Sequence, residues 1–562
     1  MPDAPDRIVE PVAVERLAWQ KTLFAPRLNA FEILKLGAKP ADHGPALRVH
    51  RNHAFEIVAS ALPAFLAFAG LSLRTVIGDY DDSLSFELPE AKAACELIWL
   101  DFDRYPRLGD DDLTDWLTGR LQALRAVSGV PIVVAASPGR SARDLRLNEA
   151  LRAWARETPA TAVLALDELA ASLGPAFIDE ARTAITGSRY SAAAALASAR
   201  ALGFAVLPGF FAAPIKAIAL DLDNTLYDGV LGENGPAGVV LTDEHAALQS
   251  GIARWADKGL LLAVISRNDP GDVQALFASR PDFPLKAAHI AGWRVGWGDK
   301  STAVLAAAEA LRIAPDSVLL IDDNLGELID AGSRVPGLRL IFAGHGPAET
   351  LRALDGYPAL PRRAAAFGGR AADLRAGEVR EAMAKAAPDA AAYLGALGAT
   401  LTFSLDPRED RARLAELSIK TNQFNLALRR FSELDVERYL TARDRCVVHV
   451  RLADRLSDSG SVAALFAARD GDSLVVEELC ISCRALGRRL EDLMVAEALR
   501  RAVEFLGCAQ VAFDYAEGPR NGPARRWLEA YAGRPLPNPA GQLRLSGLPP
   551  RRDVPVTLVW TD

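Results

Sequence analysis

The chain has 562 residues, 50% hydrophobic and 24% charged, with a formal net charge of −8. That length predicts three or four domains, each able to bury a core, and the negative balance argues against non-specific nucleic-acid binding. Five scattered cysteines (Cys95, Cys446, Cys480, Cys483, Cys508) suit a reducing compartment better than a disulfide framework. The opening MPDAPDRIVEPVAVERL has no basic segment followed by an apolar one. No apolar run reaches about 18 residues. A cytoplasmic protein with no signal peptide and no membrane span is expected.

Residues 1–205 read as an α/β domain. Candidate strands at 74–77, 95–100, 130–135 and 161–166 alternate with amphipathic helices such as 111–127 and 142–157. That alternation predicts a doubly wound parallel sheet. His43, His50 and His53 have no evident partner, and no Ser or Cys nucleophile with a paired His is visible. Asp101 and Asp103 read as solvated loop ends. The Ala-rich stretch 191–202 reads as a helical connector.

Residues 206–345 carry the densest signals. The apolar run Ala217-Ile-Ala-Leu220 meets Asp221-Leu-Asp223-Asn-Thr225 abruptly. This is the pattern of a buried parallel strand whose carboxyl end holds a site. Two clustered carboxylates repel, and a divalent cation relieves that repulsion. Such a site suits Mg²⁺-assisted phosphoryl transfer through an aspartyl-phosphate. Tyr227–Gly235 reads as a tight Gly-rich flap. The strand 259–265 ends at Ser266, Lys300 opens a helix, and the strand 317–321 ends at Asp322-Asp323. The gaps between these elements leave no room for a large cap domain, so the site is expected to be open.

Residues 346–395 read as a helical linker broken by Pro358, Pro361 and Pro388. The final domain, 396–562, shows strands at 399–404, 446–452, 461–467, 473–480 and 509–514. A basic turn, Ile481–Glu491, opens a helix reaching about Leu506, and a further helix starts near Pro523. Cys480-x-x-Cys483 has no second pair, so zinc is not expected.

Asp221-x-Asp223-x-Thr225, Ser266, Lys300 and Asp322-Asp323 stand in the order of the haloacid dehalogenase superfamily of phosphotransferases, which this segment resembles. The resemblance implies Asp221 as nucleophile and metal ligand. Asp223 would protonate the leaving oxygen, then activate water, with its backbone carbonyl on the metal. Thr225, Ser266 and Lys300 would hold the phosphoryl oxygens, Lys300 also acting in catalysis. Asp322 would complete the Mg²⁺ site, with Asp323 a water-mediated ligand or an orienter of Lys300. The final domain resembles the GNAT acyltransferase fold. There Arg484, Gly487 and Arg489 are candidates for binding coenzyme A pyrophosphate or a partner. The family has Gly or Ala at the last of these positions, so packing or partner docking is the expected use. Arg429, Arg430 and Arg488 could extend a basic docking surface, or form ordinary solvated helix faces.

The whole chain resembles the FkbH-like proteins, subfamily IIIC of that superfamily. The resemblance rests on Leu220-Asp-Leu-Asp-Asn-Thr-Leu226 with Gly229, Gly232 and Glu233, and on Val264-Ile-Ser-Arg-Asn268. It rests further on Lys420-Thr-Asn-Gln-Phe-Asn-Leu426, Leu452-Ala-Asp-Arg455 and Ser482-Cys-Arg-Ala-Leu-Gly487. It implies an α/β protein of three domains: a degenerate SGNH-hydrolase-like doubly wound domain, a Rossmannoid phosphatase domain with a minimal cap, and a GNAT-like α+β domain. Known members take the glyceryl group of 1,3-bisphosphoglycerate and load it onto an acyl carrier protein. They carry a cysteine immediately before the serine, where this chain has Ile265. Tyr227 and Asp228 also replace an expected Trp and Gly. The expectation is therefore a Mg²⁺-dependent phosphohydrolase or phosphotransferase acting on a phosphorylated small molecule in a secondary-metabolite or surface-glycan pathway. Glyceryl loading of a carrier protein is the alternative, through Cys480 or Cys483 if through any cysteine. A non-catalytic scaffold is the third reading.

Overall fold

The computed structural model describes residues 13–86, 93–106, 108–360, 370–421, 423–518, 520–545, 547–548 and 554–561. Residues 1–12, Pro361 and Asn422, read above from sequence, lie outside that set. The chain forms two compact units, 1–368 and 369–562. The first contains two parallel sheets and the second one mixed sheet.

The first sheet has the order β2-β1-β3-β4-β5, all parallel, from β1 Ala46–Arg51, β2 Arg74–Tyr80, β3 Ala93–Trp99, β4 Ile132–Ala135 and β5 Thr161–Leu164. The helices Asp110–Val127 and Ala142–Glu157 lie close to their expected positions. Leu113, Leu117, Leu121 and Leu124 of the first, and Leu147 and Leu151 of the second, are buried on one face.

β1 is absent from the sequence reading because Arg48 and His50 interrupt its apolar run. Glu96 of β3 accounts for both. Its carboxylate accepts from Arg48 Nη1 at 3.4 Å and Ser128 Oγ at 3.1 Å, and lies 3.0 Å from His50 Nε2. His53 likewise has a partner, Ser188 Oγ at 2.9 Å from Nδ1. Asp101 is buried rather than solvated, and Arg189 pairs with both Asp101 and Asp103. The Ala-rich stretch is no connector. Helix Ala192–Arg200 packs on helix Glu56–Phe68, and a Cβ at Gly203 would fall 2.5 Å from that of Phe65. One helical run, Ala192–Phe211, is long and apolar enough to cross a membrane, and most of it is buried inside the protein.

The second sheet has the order β10-β9-β6-β7-β8, again all parallel, from β6 Ala217–Leu220, β7 Leu261–Ser266, β8 Ile290–Val295, β9 Val318–Asp322 and β10 Arg339–Phe342. β6, β7 and β9 are buried throughout, as near-continuous Val, Ile, Leu and Ala runs require in a sheet covered on both faces.

In the second unit the sheet order is β16-β15-β14-β13-β12-β11-β17. Its strands are β11 Thr400–Leu405, β12 Arg445–Ala453, β13 Asp458–Asp470, β14 Ser473–Ile481, β15 Gln510–Ala516, β16 Ala540–Arg544 and β17 Thr557–Thr561. Its pairs are antiparallel except β14 with β15 and β11 with β17. Of the expected helical linker, Pro347–Gly356 belongs to the first unit, and Arg370–Ala386 and Ala390–Leu397 to the second.

Removing one partner of a buried charge cluster leaves the others uncompensated. Glu96→Ala is expected to lower stability by about 3 kcal/mol, read as a shift in denaturant midpoint.

Candidate active site

In the second sheet the chain runs from β6 through β7 to β8 on one side, then returns to β9 and β10 on the other. The switch point is the β6/β9 boundary, where a crevice forms outside the carboxyl ends of the strands. Asp221 directly follows β6 and Asp322 ends β9. The Asp221 N–H donates to the Ile321 carbonyl at 3.0 Å, so the two carboxylates stand side by side.

Lys300, the first residue of helix Lys300–Ala310, joins them. Its Nζ donates to Asp221 Oδ1 at 2.8 Å and also to Asp322 Oδ2. All three residues are buried. Asp322 Oδ1 accepts the Asn324 N–H at 2.8 Å, and the Asn324 side chain caps the next helix by accepting from Gly326 and Glu327. Asp323 is half-buried and shares the cluster. Oxygens of Asp221, Asp322 and Asp323 lie within 4.8 Å of one another.

One ammonium faces three carboxylates here. Burial pushes Asp221 up to about 7, Asp322 adding to the effect and Lys300 opposing it. Burial, then Asp322, raises Asp323 as well. Lys300 is held above its ordinary range by Asp221 and Asp322, against the opposing effect of burial. The surplus negative charge and the all-oxygen donor set fit a hard divalent cation such as Mg²⁺.

The Asp223 side chain stands apart from that cluster. Its Oδ1 accepts from the Tyr227 hydroxyl at 2.7 Å and the Leu231 N–H at 3.0 Å, and its Oδ2 from Asn268 Nδ2 at 3.0 Å. The same Asn268 nitrogen donates to Ser266 Oγ at 3.0 Å, tying Asp223 to the end of β7. Ser266 is buried, and so is Thr225, whose hydroxyl has no partner among the described residues.

Residues 224–240 form the flap. Asn224 takes a φ of +50°, and its side chain accepts the N–H of Gly229, where φ is +111°. Bridges Asp223–Tyr227 and Asp228–Val240 hold its base. Arg280 donates to the carbonyls of Pro236 and Val239. Sequence reasoning assigned no role to Tyr227 or Asn268. Tyr227 was read only as the start of the flap and a departure from an expected Trp, and Asn268 only as the end of the Val264–Asn268 motif.

The other candidates belong to the second unit. The Gly487 N–H is occupied by Glu491 Oε1 at 2.9 Å, and Arg484 donates to the Ser459 carbonyl at 3.2 Å. Arg489 adopts φ +62°. Arg488 is buried, paired with Asp373 and Asp454, to which Arg380 is also paired. Arg429 pairs with Glu477 and Asp514, and Arg430 donates to the carbonyls of Ser418 and Thr421. Arg429, Arg430 and Arg488 thus have internal partners, while Arg489 is exposed. Cys480 is buried, which raises its thiol well above the ordinary value.

No family model matches the chain, and no curated protein is similar to it. Solved structures give several likenesses. One is the N-terminal part of a Bacteroides fragilis protein containing a phosphatase domain complexed with Mg. It is 18% identical over 62% of this chain and 99% of that one, with a TM-score of 0.46. A putative HAD-like phosphatase from Mesorhizobium loti is 15% identical over 25% of this chain and 87% of its own, TM-score 0.19. A spermidine N-acetyltransferase from Vibrio cholerae is 12% identical over 24% and 78%, TM-score 0.19.

The folded pKa of Asp221, about 7, lies above its unfolded value. Between the two values the folded state holds the extra proton, so metal-free stability falls as pH rises from about 4 towards about 7. Added Mg²⁺ is expected to raise the melting temperature far more at pH 8 than at pH 5. At a hundredfold excess over its dissociation constant it contributes about 2.7 kcal/mol. Asp221→Asn should flatten both trends in a thermal-shift titration.

Proposed function

We propose that the chain is a Mg²⁺-dependent phosphohydrolase or phosphotransferase acting through an aspartyl-phosphate on Asp221, of the FkbH-like kind, in a biosynthetic pathway. The observation that carries this reading is the buried cluster in which Lys300 bridges Asp221 and Asp322 beside Asp323. Asp221, Asp322 and Asp323 would hold the cation, which when bound neutralises charge on the phosphoryl oxygens.

The chain's own groups account for the rest. An Asp221 oxygen attacks phosphorus as the bond to the leaving oxygen breaks, and Asp223 gives that oxygen a proton. Asp223 then takes a proton from water. The water attacks the phosphorus of the aspartyl-phosphate, releasing phosphate and restoring Asp221. Lys300 and the hydroxyls of Ser266 and Thr225 would hold the phosphoryl oxygens. Tyr227 and Asn268 fix the direction of the Asp223 carboxylate, so the acid is aimed before substrate arrives.

Ile265 is a buried alkyl side chain beside Ser266, and residues 206–350 contain no cysteine. Phosphate release without an enzyme-bound thioester is the reading these residues favour.

The test is phosphate release with Mg²⁺ from a panel of phosphorylated metabolites including 1,3-bisphosphoglycerate, with and without an acyl carrier protein whose mass is followed. Asp221→Asn should lower release by about 10³-fold or more, and Lys300→Ala by about 10²- to 10³-fold. Full release by Asp221→Asn would refute the aspartyl-phosphate. A glyceryl adduct on the carrier would replace simple hydrolysis with acyl loading.

A further inference from the structure

In the second unit, β14 and β15 are parallel neighbours that separate part-way along. Their pairing runs from Ser473 with Gln510 to Val476 with Phe513, while the strands continue to Ile481 and Ala516. A wedge in a sheet leaves N–H and C=O groups on both inner edges, and each needs a partner. An extended ligand bearing amides can supply those partners, as an added strand does. The pantetheine arm of coenzyme A is a ligand of that kind. The candidate pyrophosphate turn, Arg484 to Arg489, follows β14 closely, so an arm starting there would enter this wedge.

The chain fills the wedge with a segment of its own. On the β14 side the Ile481 N–H donates to the Phe424 carbonyl at 2.9 Å, and the Leu426 N–H to the Leu479 carbonyl at 3.2 Å, with Asn425 bridged to Cys480. On the β15 side the Ala516 N–H donates to the Leu426 carbonyl at 3.0 Å. Asn521 Nδ2 reaches the Asn425 carbonyl at 3.0 Å. Phe424, Asn425 and Leu426 are buried.

Glu478 of β14 holds the same segment from inside. Its buried carboxylate accepts the N–H groups of Leu426 at 2.8 Å, Ala427 at 3.0 Å and Arg429 at 2.6 Å. The Asn425 side chain covers Cys480, with Nδ2 at 3.5 Å from its sulfur.

The turn is set against an anion as well. The Gly487 N–H already donates to Glu491, and Glu491 and Asp492 stand in the first turn of helix Glu491–Leu506. Carboxylates there occupy the positive end of the helix dipole that would otherwise attract a pyrophosphate.

We infer that the second unit takes no acyl-CoA. Phe424–Ala427 holds the place in the sheet that a pantetheine arm would need, and Glu491 holds the backbone donor that its pyrophosphate would need. An acyl group handled by this unit would have to come on a different carrier. The inference is independent of whether the Asp221 cluster transfers phosphate.

Hydrogen-exchange mass spectrometry on the full chain, with and without about 1 mM acetyl-CoA, tests it. The Leu426 and Ala427 amides are expected to exchange as slowly as those of β14. Exchange across 424–429 and 482–491 is expected to be the same in both samples. Protection appearing only elsewhere in the chain would leave the wedge closed and bear the inference out. New protection at 424–429 or 482–491 on adding acetyl-CoA would overturn it. So would exchange of Leu426 at the rate of an open loop.

Discussion

The bridge from Lys300 to Asp221 and Asp322 is the constraint on which the second sheet turns. Burying a charge costs several kcal/mol unless a partner stands within reach. Two carboxylates at neighbouring strand ends double that demand, and Asp323 adds a third. The sheet can hold them there only because a helix begins at the same edge with a lysine. That lysine offsets one charge of three. A site built this way is incomplete by charge, and the deficit is what a divalent cation would meet. Burial raises Asp221 and the neighbouring Asp322 adds to it, and the same surplus of carboxylates underlies the proposed metal dependence.

Both parallel sheets obey the same geometry and put it to different ends. In each, strand order reverses once, and residues at or just beyond the strand ends stand at the reversal. In the second sheet those residues are aspartates. In the first they are Trp99 and Tyr80, with His53 stacked on Trp99 at 5.3 Å between ring centroids. Topology supplies the crevice, and the residues at the strand tips decide whether it is anionic or apolar.

How much of this was legible in the sequence follows from which forces acted locally. β6, β7 and β9 were readable because buried parallel strands are unbroken apolar runs, and the aspartates mark where they stop. Lys300 and Ser266 were readable from their positions against those runs. β1 was not, because Arg48 and His50 are compatible with a central strand only once Glu96, 48 residues from Arg48, lies opposite. β8 was missed for a different reason: Trp293 and Arg294 make it look like surface, and it lies at one edge of its sheet. The basic turn at 484–489 looked like a surface feature. Arg488 instead meets Asp373, 115 residues earlier. At β1 and at the basic turn the failure is a charge matched by a partner distant in sequence, which no local pattern can announce.

On the proposed function, the flap bears on how substrate would reach Asp221. It is tied at three points. Leu231 donates to Asp223, Asn234 accepts the N–H of Val230, and Arg280 holds the carbonyls of Pro236 and Val239. Arg280 is itself fixed by a two-point pair with Asp282 and by the face of Phe283. A cover that opens and closes would have to break several of these bonds together, including one to the proposed acid. The flap is therefore better read as a fixed wall that presents the Asp223 carboxylate than as a lid. Between Ser266 and Lys300 the structure holds helix Pro270–Ser279, a short turn and β8, with no inserted domain. If the proposed function holds, a site with a fixed wall and no inserted domain would not shut out a large substrate, and selection would fall to contacts around the rim. There Arg267, paired with Glu327, and the exposed ring of Trp297 stand on the loops that carry Ser266 and Lys300.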